Sequence, residues 1–163
     1  MISTKLHWIG TPTSGRLAIC ARPRGGEWLE SELLAWKALG IDTVVSLLEP
    51  SEESELDLSA EHDLAQLCQL DFISYPIPDR DIPASNSVAL LETLKIRLQA
   101  GKSIAIHCRQ GVGRAGMIAA TLLILFGIDP DNAVELVSAA RGVTVPETKP
   151  QREWIVSALI HRQ

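Results

Sequence analysis

Cys108 and Arg114 stand six residues apart in the run His107-Cys108-Arg109-Gln110-Gly111-Val112-Gly113-Arg114, and this is where the sequence offers chemistry. A β-rich run, SIAIHC, leads into it and a long helical run follows. A strand-to-helix turn of that kind points successive backbone N–H groups into a concavity at a helix N-terminus, where they and the dipole favour an oxyanion such as phosphate. Gly111 and Gly113 permit positive φ and close approach of backbone to ligand. A thiol on the floor of such a bowl, beside arginines, is expected to have a lowered pKa and to be largely thiolate at neutral pH, which makes Cys108 a nucleophile. Arg114 can return across the loop and grip two phosphate oxygens with its planar fork, which a lysine could not do. An ordinary turn with a core cysteine would leave the joint register of Cys, two Gly and Arg unexplained. Arg109 has two readings: positive potential at the mouth, or a side chain turned away while its N–H joins those of Gln110, Gly111, Val112 and Gly113 in the cradle.

The elements that must position this loop are legible as alternation. Short β-rich runs, Leu6 to Ile9, Leu17 to Cys20, Thr43 to Leu48, Phe72 to Tyr75 and Ser103 to His107, alternate with stretches of helical period. That pattern predicts an α/β fold: one domain over residues 1–163, a central mostly parallel sheet of four or five strands flanked by helices, and a helical C-terminal third. DTVVSLL and SIAIHC lack polar alternation, so they are the expected core strands. Helices are expected over Glu27 to Leu39, closed by Gly40, over Glu52 to Leu70, and over Ser87 to Ala100, closed by Gly101. Two more start at Asp129-Pro130 and Thr148-Lys149-Pro150, each with a cap residue and a first-turn proline. The seven acids from Glu49 to Asp63 read most simply as a solvated outer face, with partner binding the lesser alternative. Arg22 and Arg24 leave the end of a candidate strand, where they either contact substrate or face solvent.

Composition narrows the function classes. The chain has 163 residues, 46% hydrophobic and 21% charged, which fits a globular domain and excludes disordered, collagen-like and coiled-coil proteins. Cys20, Cys68 and Cys108 are 48 and 40 residues apart, a spacing with neither a disulfide framework nor a metal knuckle, so a reducing cytoplasmic setting is expected. The start carries no secretory pattern, and the longest apolar run, Ala115 to Ile128, is 14 residues, short of a membrane span. It reads as a buried core helix. Between Ala38 and Asp79 stand ten Asp/Glu and no Lys or Arg, whereas the rest of the chain holds 15 bases and ten acids; an anionic ligand is drawn to that second pool. Aromatic residues at 4% and the lack of a basic run argue against nucleic acid. His7, His62 and His161 have no metal-ligand spacing, and neither a metal nor a cofactor is expected.

His107-Cys108, five residues, then Arg114 resembles the HCx5R signature of the protein tyrosine phosphatase superfamily, and the chain length is similar to its small dual-specificity branch. The resemblance runs from about Leu17 to Trp154. It implies a phosphatase-like fold and an enzyme hydrolysing phosphomonoesters of protein side chains through a phosphocysteine, with phosphotyrosine as substrate and phosphoserine/threonine also feasible, the preference being set by pocket depth; a monomer is expected. SYPIPDRDIP, Ser74 to Pro83, is similar to the family's mobile general-acid loop, which implies Asp79 as the acid with Asp81 as the alternative. In RGVTVPETKPQREW the resemblance implies that Gln151 helps position the hydrolytic water, a solvent-facing glutamine being the other reading. It further implies that His107 packs under the loop and orients the thiolate. Most members carry Ser or Thr after the loop arginine, where this chain has Ala115; members resembling the regenerating-liver phosphatases share that alanine. The missing hydroxyl implies slow hydrolysis of the covalent intermediate. Hydrolysis of phosphoinositides or other non-protein phosphates is an alternative, which the neutral Gln110 and Val112 disfavour. A slow-turnover phosphate-binding module is another.

Overall fold

The computed structural model describes residues 3–84 and 86–158; His161 lies outside them. Five strands, β1 (His7–Ile9), β2 (Leu17–Ala21), β3 (Thr43–Ser46), β4 (Asp71–Ser74) and β5 (Ile104–Cys108), form one sheet in the order β1-β2-β5-β3-β4. β1 runs antiparallel to β2 and every other pairing is parallel. The strand that ends in Cys108 therefore takes the centre, with a parallel neighbour on each side and all five residues buried. A strand covered on both faces has no wet side, hence the lack of polar alternation in IAIHC.

Helices cover both faces, as the alternating pattern predicts. A 3-10 turn at Gly26–Trp28 leads into α1 (Leu29–Ala38); α2 (Pro50–Glu55), α3 (Glu61–Leu67), α4 (Ser87–Gln99), α5 (Gly113–Leu125), α6 (Pro130–Arg141) and α7 (Lys149–Ser157) follow. Trp36, Leu33 and Ala65 pack on Ala18, Val44 and Ala105 on one face, while α4 to α7 pack on Leu17, Ile19, Val45 and Ile106 on the other. Every residue of α5 except Leu125 is buried. Ile118, Leu122, Leu123 and Ile124 are each fully buried, worth about 1.5–3 kcal/mol apiece, so the start of α5 is fixed rigidly at the end of β5. The expected caps are in place: Asp129 accepts from the Asn132 amide at 3.1 Å, Thr148 from the Gln151 amide at 3.2 Å, and Gly40 and Gly101 take φ +96 and +85 just past α1 and α4. No helix among the described residues is long and apolar enough to cross a membrane.

One element departs from expectation. The single helix predicted over Glu52 to Leu70 is two, α2 and α3, because Asp57 takes φ +57 and Leu58 turns inward to near-complete burial. The break is anchored from outside, the Gly26 amide donating to the Asp57 carbonyl at 2.9 Å. Leu67, the last residue of α3, is 76% exposed. More consequential, the acids of this segment are not all a solvated face. Glu52 and Glu61 are buried and point toward the end of β5.

Candidate active site

Four segments meet at the C-terminal edge of the sheet. β5 delivers Cys108, the turn to α5 wraps over it, the segment after β4 brings Asp79 and Arg80, and the segment before α7 brings Glu147. Together Asp79, Arg80, Cys108, Arg109, Gln110, Arg114 and Glu147 line a recess of about 180 Å³. Cys108 is 2% exposed and lines this opening.

Two glycines shape the loop, for different reasons. Gly111 sits at φ +73, and a Cβ there would fall 2.4 to 2.6 Å from backbone atoms of Cys20 and Ala21. Gly113 opens α5, and a Cβ on it would lie 2.7 Å from a Glu147 carboxylate oxygen. The loop is also braced from behind, by a residue sequence reasoning passed over. Arg141, at the end of α6, donates to the carbonyls of Gln110 and Gly111 at 3.1 and 3.2 Å. Because C=O and N–H of a trans peptide point opposite ways, those bonds turn the amides of Gly111 and Val112 away from Arg141.

Arg114 is 2% exposed and fully partnered along one edge. Nη1 and Nη2 donate to the two oxygens of Glu52 at 2.6 and 3.0 Å, and Nη1 also donates to the Ile77 carbonyl at 2.9 Å. Asp79 Oδ1 stands 3.1 Å from Nη2. Burial, the largest single influence, would weaken the hold of this guanidinium on its proton, but the Glu52 bonds and then the charges of Cys108, Glu52 and Asp79 together outweigh it, and its pKa is raised. Burial likewise opposes the charge on Glu52, and the bonds it accepts from Arg114, from its own first-turn backbone and from Arg109 overcome that, holding its carboxyl below the usual range.

Of the two readings of Arg109, the structure takes the second: its side chain turns outward, donating to Glu52 at 3.2 Å and Glu55 at 3.0 Å. Gln110 is exposed at the rim and Val112 packs on the core. Asp81 does not line the recess; its carboxylate accepts from the Ile82 amide at 2.8 Å, a turn role. Gln151 does not face solvent. It is fully buried, its Oε1 accepts from the amides of Glu147 and Thr148, and its Nε2 donates to the Asp81 carbonyl at 3.0 Å, so it ties the Asp79 segment to α7. Arg80 and Glu147 form a second tie at 3.0 Å. His107 lies under the loop with Nε2 2.6 Å from Glu61 Oε1, both side chains buried, and Trp36 at 6.2 Å between ring centroids. Arg24 is drawn off to Glu32 at 2.7 Å and stacks on Trp28, and neither it nor Arg22 lines the recess. Glu52, Glu61, Arg141 and Glu147 are thus the residues sequence reasoning missed. A buried arginine is permanently charged and calls for a carboxylate, so the unassigned acids were the one available signal for Glu52.

A parallel sheet whose central strand ends in a cysteine, under a glycine-shaped cradle closed by an arginine, defines a phosphatase domain of the cysteine-loop type. A solved structure of kinase associated phosphatase with its catalytic-site cysteine replaced by serine superposes with a TM-score of 0.91, covering 99% of this chain and 97% of that one at 22% identity, which speaks to the fold. The family model described as Swiss Army Knife protein, DSP-PTPase phosphatase domain, matches residues 5–154, and the chain belongs to that family. Among curated relatives it is 35% identical over 71 residues to the RNA/RNP complex-1-interacting phosphatase of Mus musculus, covering 43% of this chain and 22% of that protein. It is 31% identical over 84 residues to cyclin-dependent kinase inhibitor 3 of Sus scrofa, covering 50% and 40%. The chain therefore spans less than half the length of either relative.

Proposed function

We propose that this protein hydrolyses phosphomonoesters on protein side chains through a phosphocysteine at Cys108. The observation that carries the reading is the recess itself: one nucleophile at its floor, one arginine with an unspent edge, and one carboxylate at its mouth. Glu52 consumes the Nη1–Nη2 edge of Arg114, which leaves Nε and the outward side of Nη2 for two oxygens of a bound phosphate. The loop amides supply the other donors, fixed in advance and costing no reorganisation as charge develops. Cys108 attacks phosphorus in line, forming the S–P bond as the ester P–O bond breaks. Asp79, displaced from Nη2 by the dianion and taking up a proton from solvent as it leaves the arginine, gives that proton to the leaving oxygen. In the second step the same carboxylate takes a proton from water as that water attacks phosphorus and returns the thiolate. Glu147 and Gln151 hold the Asp79 segment over the site while this happens.

Arg109 turned toward Glu52 and Glu55 leaves few cations at the rim, which favours a singly phosphorylated side chain over a polyphosphorylated lipid headgroup. Three unpaired buried cysteines suit a reducing cytoplasm. The test is hydrolysis of an aryl phosphate and of phosphotyrosine and phosphothreonine peptides by the wild type and Cys108→Ser. Release of phosphate by the wild type alone supports the proposal; equal rates in the two remove the nucleophile. Comparing Asp79→Asn with Asp81→Asn separates the acids, since only the first is expected to slow release of a poor leaving group.

A further inference from the structure

The surroundings of the recess at Cys108 are more negative than a phosphate site requires. Each arginine that lines it already meets a carboxylate: Arg114 pairs with Glu52, Arg109 with Glu52 and Glu55, and Arg80 with Glu147. With Asp79 beside Arg114, four carboxylates, Glu52, Glu55, Asp79 and Glu147, stand against three arginines before any phosphate binds. Glu52 is buried, but the side chains of Glu55, Asp79 and Glu147 are 64%, 53% and 25% exposed. Glu147 is the most informative of them. Arg80 meets its Oε2, at 3.0 Å, and its Oε1 lies against Gly113, where an added Cβ would come within 2.7 Å. Its amide donates to Gln151 Oε1 at 3.1 Å, so the start of α7 holds it there. The last glycine of the loop thus seats an anion at the edge of a cradle built for anions. Like charges at that range oppose phosphate binding, so the arrangement costs affinity for phosphate as such. What it gains is discrimination, because a second charge on the substrate is then read by its sign.

We propose that the rim selects phosphorylated side chains that stand among basic residues, a substrate lysine or arginine meeting Glu147 Oε1 and another meeting Glu55. The selection rests on the hydrolysis proposed above and names its substrate class. A phosphoryl group in the cradle adds about two negative charges to a rim already short of cations. A lysine or arginine next to it restores the balance, whereas a glutamate or a second phosphate worsens it. The stretch from Ala38 to Asp79 supplies three of the four carboxylates and contains no Lys or Arg to answer them. Asp79 is not available for this contact, since it carries its proton to the leaving oxygen, so Glu55 and Glu147 are the specificity-determining residues.

The test compares phosphothreonine peptides of one length that carry a lysine, an alanine or a glutamate on each side of the phosphoresidue, with an aryl phosphate as the substrate that has no flanks. Dividing each peptide's kcat/KM by that of the aryl phosphate removes any change in the chemical step. In 0.1 M salt the lysine peptide is expected to exceed the glutamate peptide about tenfold, with alanine between them, the worth of a few partly exposed charge contacts. In 1 M salt, where the Debye length falls from about 10 Å to about 3 Å, the ratio should approach one. Glu55 and Glu147 are both exposed, so their variants are expected to fold. Glu147→Gln should cut the ratio about threefold, and Glu55→Lys, which also loosens Arg109, should abolish it or turn it toward glutamate. Equal rates for the three peptides, or a lysine preference that both substitutions and 1 M salt leave untouched, overturn the inference, while hydrolysis of the aryl phosphate keeps the reaction standing. Should the wild type hydrolyse neither aryl phosphate nor peptide, the proposed reaction falls, and the same order is read as peptide affinity by fluorescence anisotropy. Equal affinities there overturn the selection as well.

Discussion

At Glu52 a carboxylate meets the Nη1–Nη2 edge of Arg114 twice, and Arg109 a third time, so one acid both orients the phosphate-facing edge of one arginine and removes another from the mouth. Breaking a buried pair by taking one partner away strands the other charge. Glu52→Gln is therefore expected to cost about 3 kcal/mol of stability, read from urea unfolding at neutral pH. The pH dependence follows from the direction of its shift. A carboxyl held below its unfolded value stabilises the fold above that value, near 4.5, and the contribution fades as pH falls through the lower folded value. The gap in unfolding free energy between wild type and Glu52→Gln should therefore close on acidification; a gap constant from neutral to acid pH would assign the effect to packing. Ala115 is the other decisive single residue. It is fully buried beside Arg114, and the family resemblance places a hydroxyl there in most members. Ala115→Ser is expected to raise steady-state turnover of an aryl phosphate about tenfold, the worth of one hydrogen bond to a charged sulfur, while shrinking the pre-steady-state burst. An unchanged burst would mean that hydrolysis of the intermediate is not the slow step.

Between residue and domain, the loop behaves as a rigid turn trapped among three elements. β5 fixes its start, the buried α5 fixes its end, and Arg141 from α6 pins two of its carbonyls. Gly111→Ala would combine a strained φ with overlap against the Cys20 and Ala21 backbone. It is expected to cost 2 kcal/mol or more. It should also abolish competitive inhibition by inorganic phosphate; retained inhibition would show a loop more compliant than its contacts indicate. Arg141→Ala tests the brace separately, with KM for aryl phosphate expected to rise more than kcat falls. This scale also shows what sequence could and could not carry. The order strand, loop, helix was legible because SIAIHC and AGMIAATLLILF are mostly apolar and carry no charged residue of fixed sign, as a central strand and a buried helix must. The split of α2 from α3 was not, since Asp57 enters positive φ under a tertiary contact from Gly26 that no local pattern announces. With the split went the inward turn of Glu52 and Glu61, acids whose burial only their partners across the fold explain.

For the molecule as a whole, the acidic segment from Ala38 to Asp79 is not set apart from the basic remainder but folded against it at the one edge where chemistry is placed. Glu52 meets Arg114, Glu61 meets His107, and Asp79 completes the recess, so the charge asymmetry of the chain is spent locally. The same packing sorts the three thiols. Burial, then the charge of Cys108, pushes the Cys20 thiol well above its ordinary range, and burial with Glu30 raises that of Cys68. Both stay protonated at neutral pH and, on β2 and at the end of α3, do not line the recess. Cys108 alone of the three does. Iodoacetamide at neutral pH is therefore expected to place one label on the native chain, at Cys108 by peptide mass, three in denaturant and none on native Cys108→Ser. A phosphate analogue should protect that single label by occupying the cradle above it. Labelling of Cys20 at a comparable rate in the native state would mean that β2 and β5 separate readily, and a cradle whose Gly111 rests on β2 could not then be the fixed set of donors the proposed reaction needs.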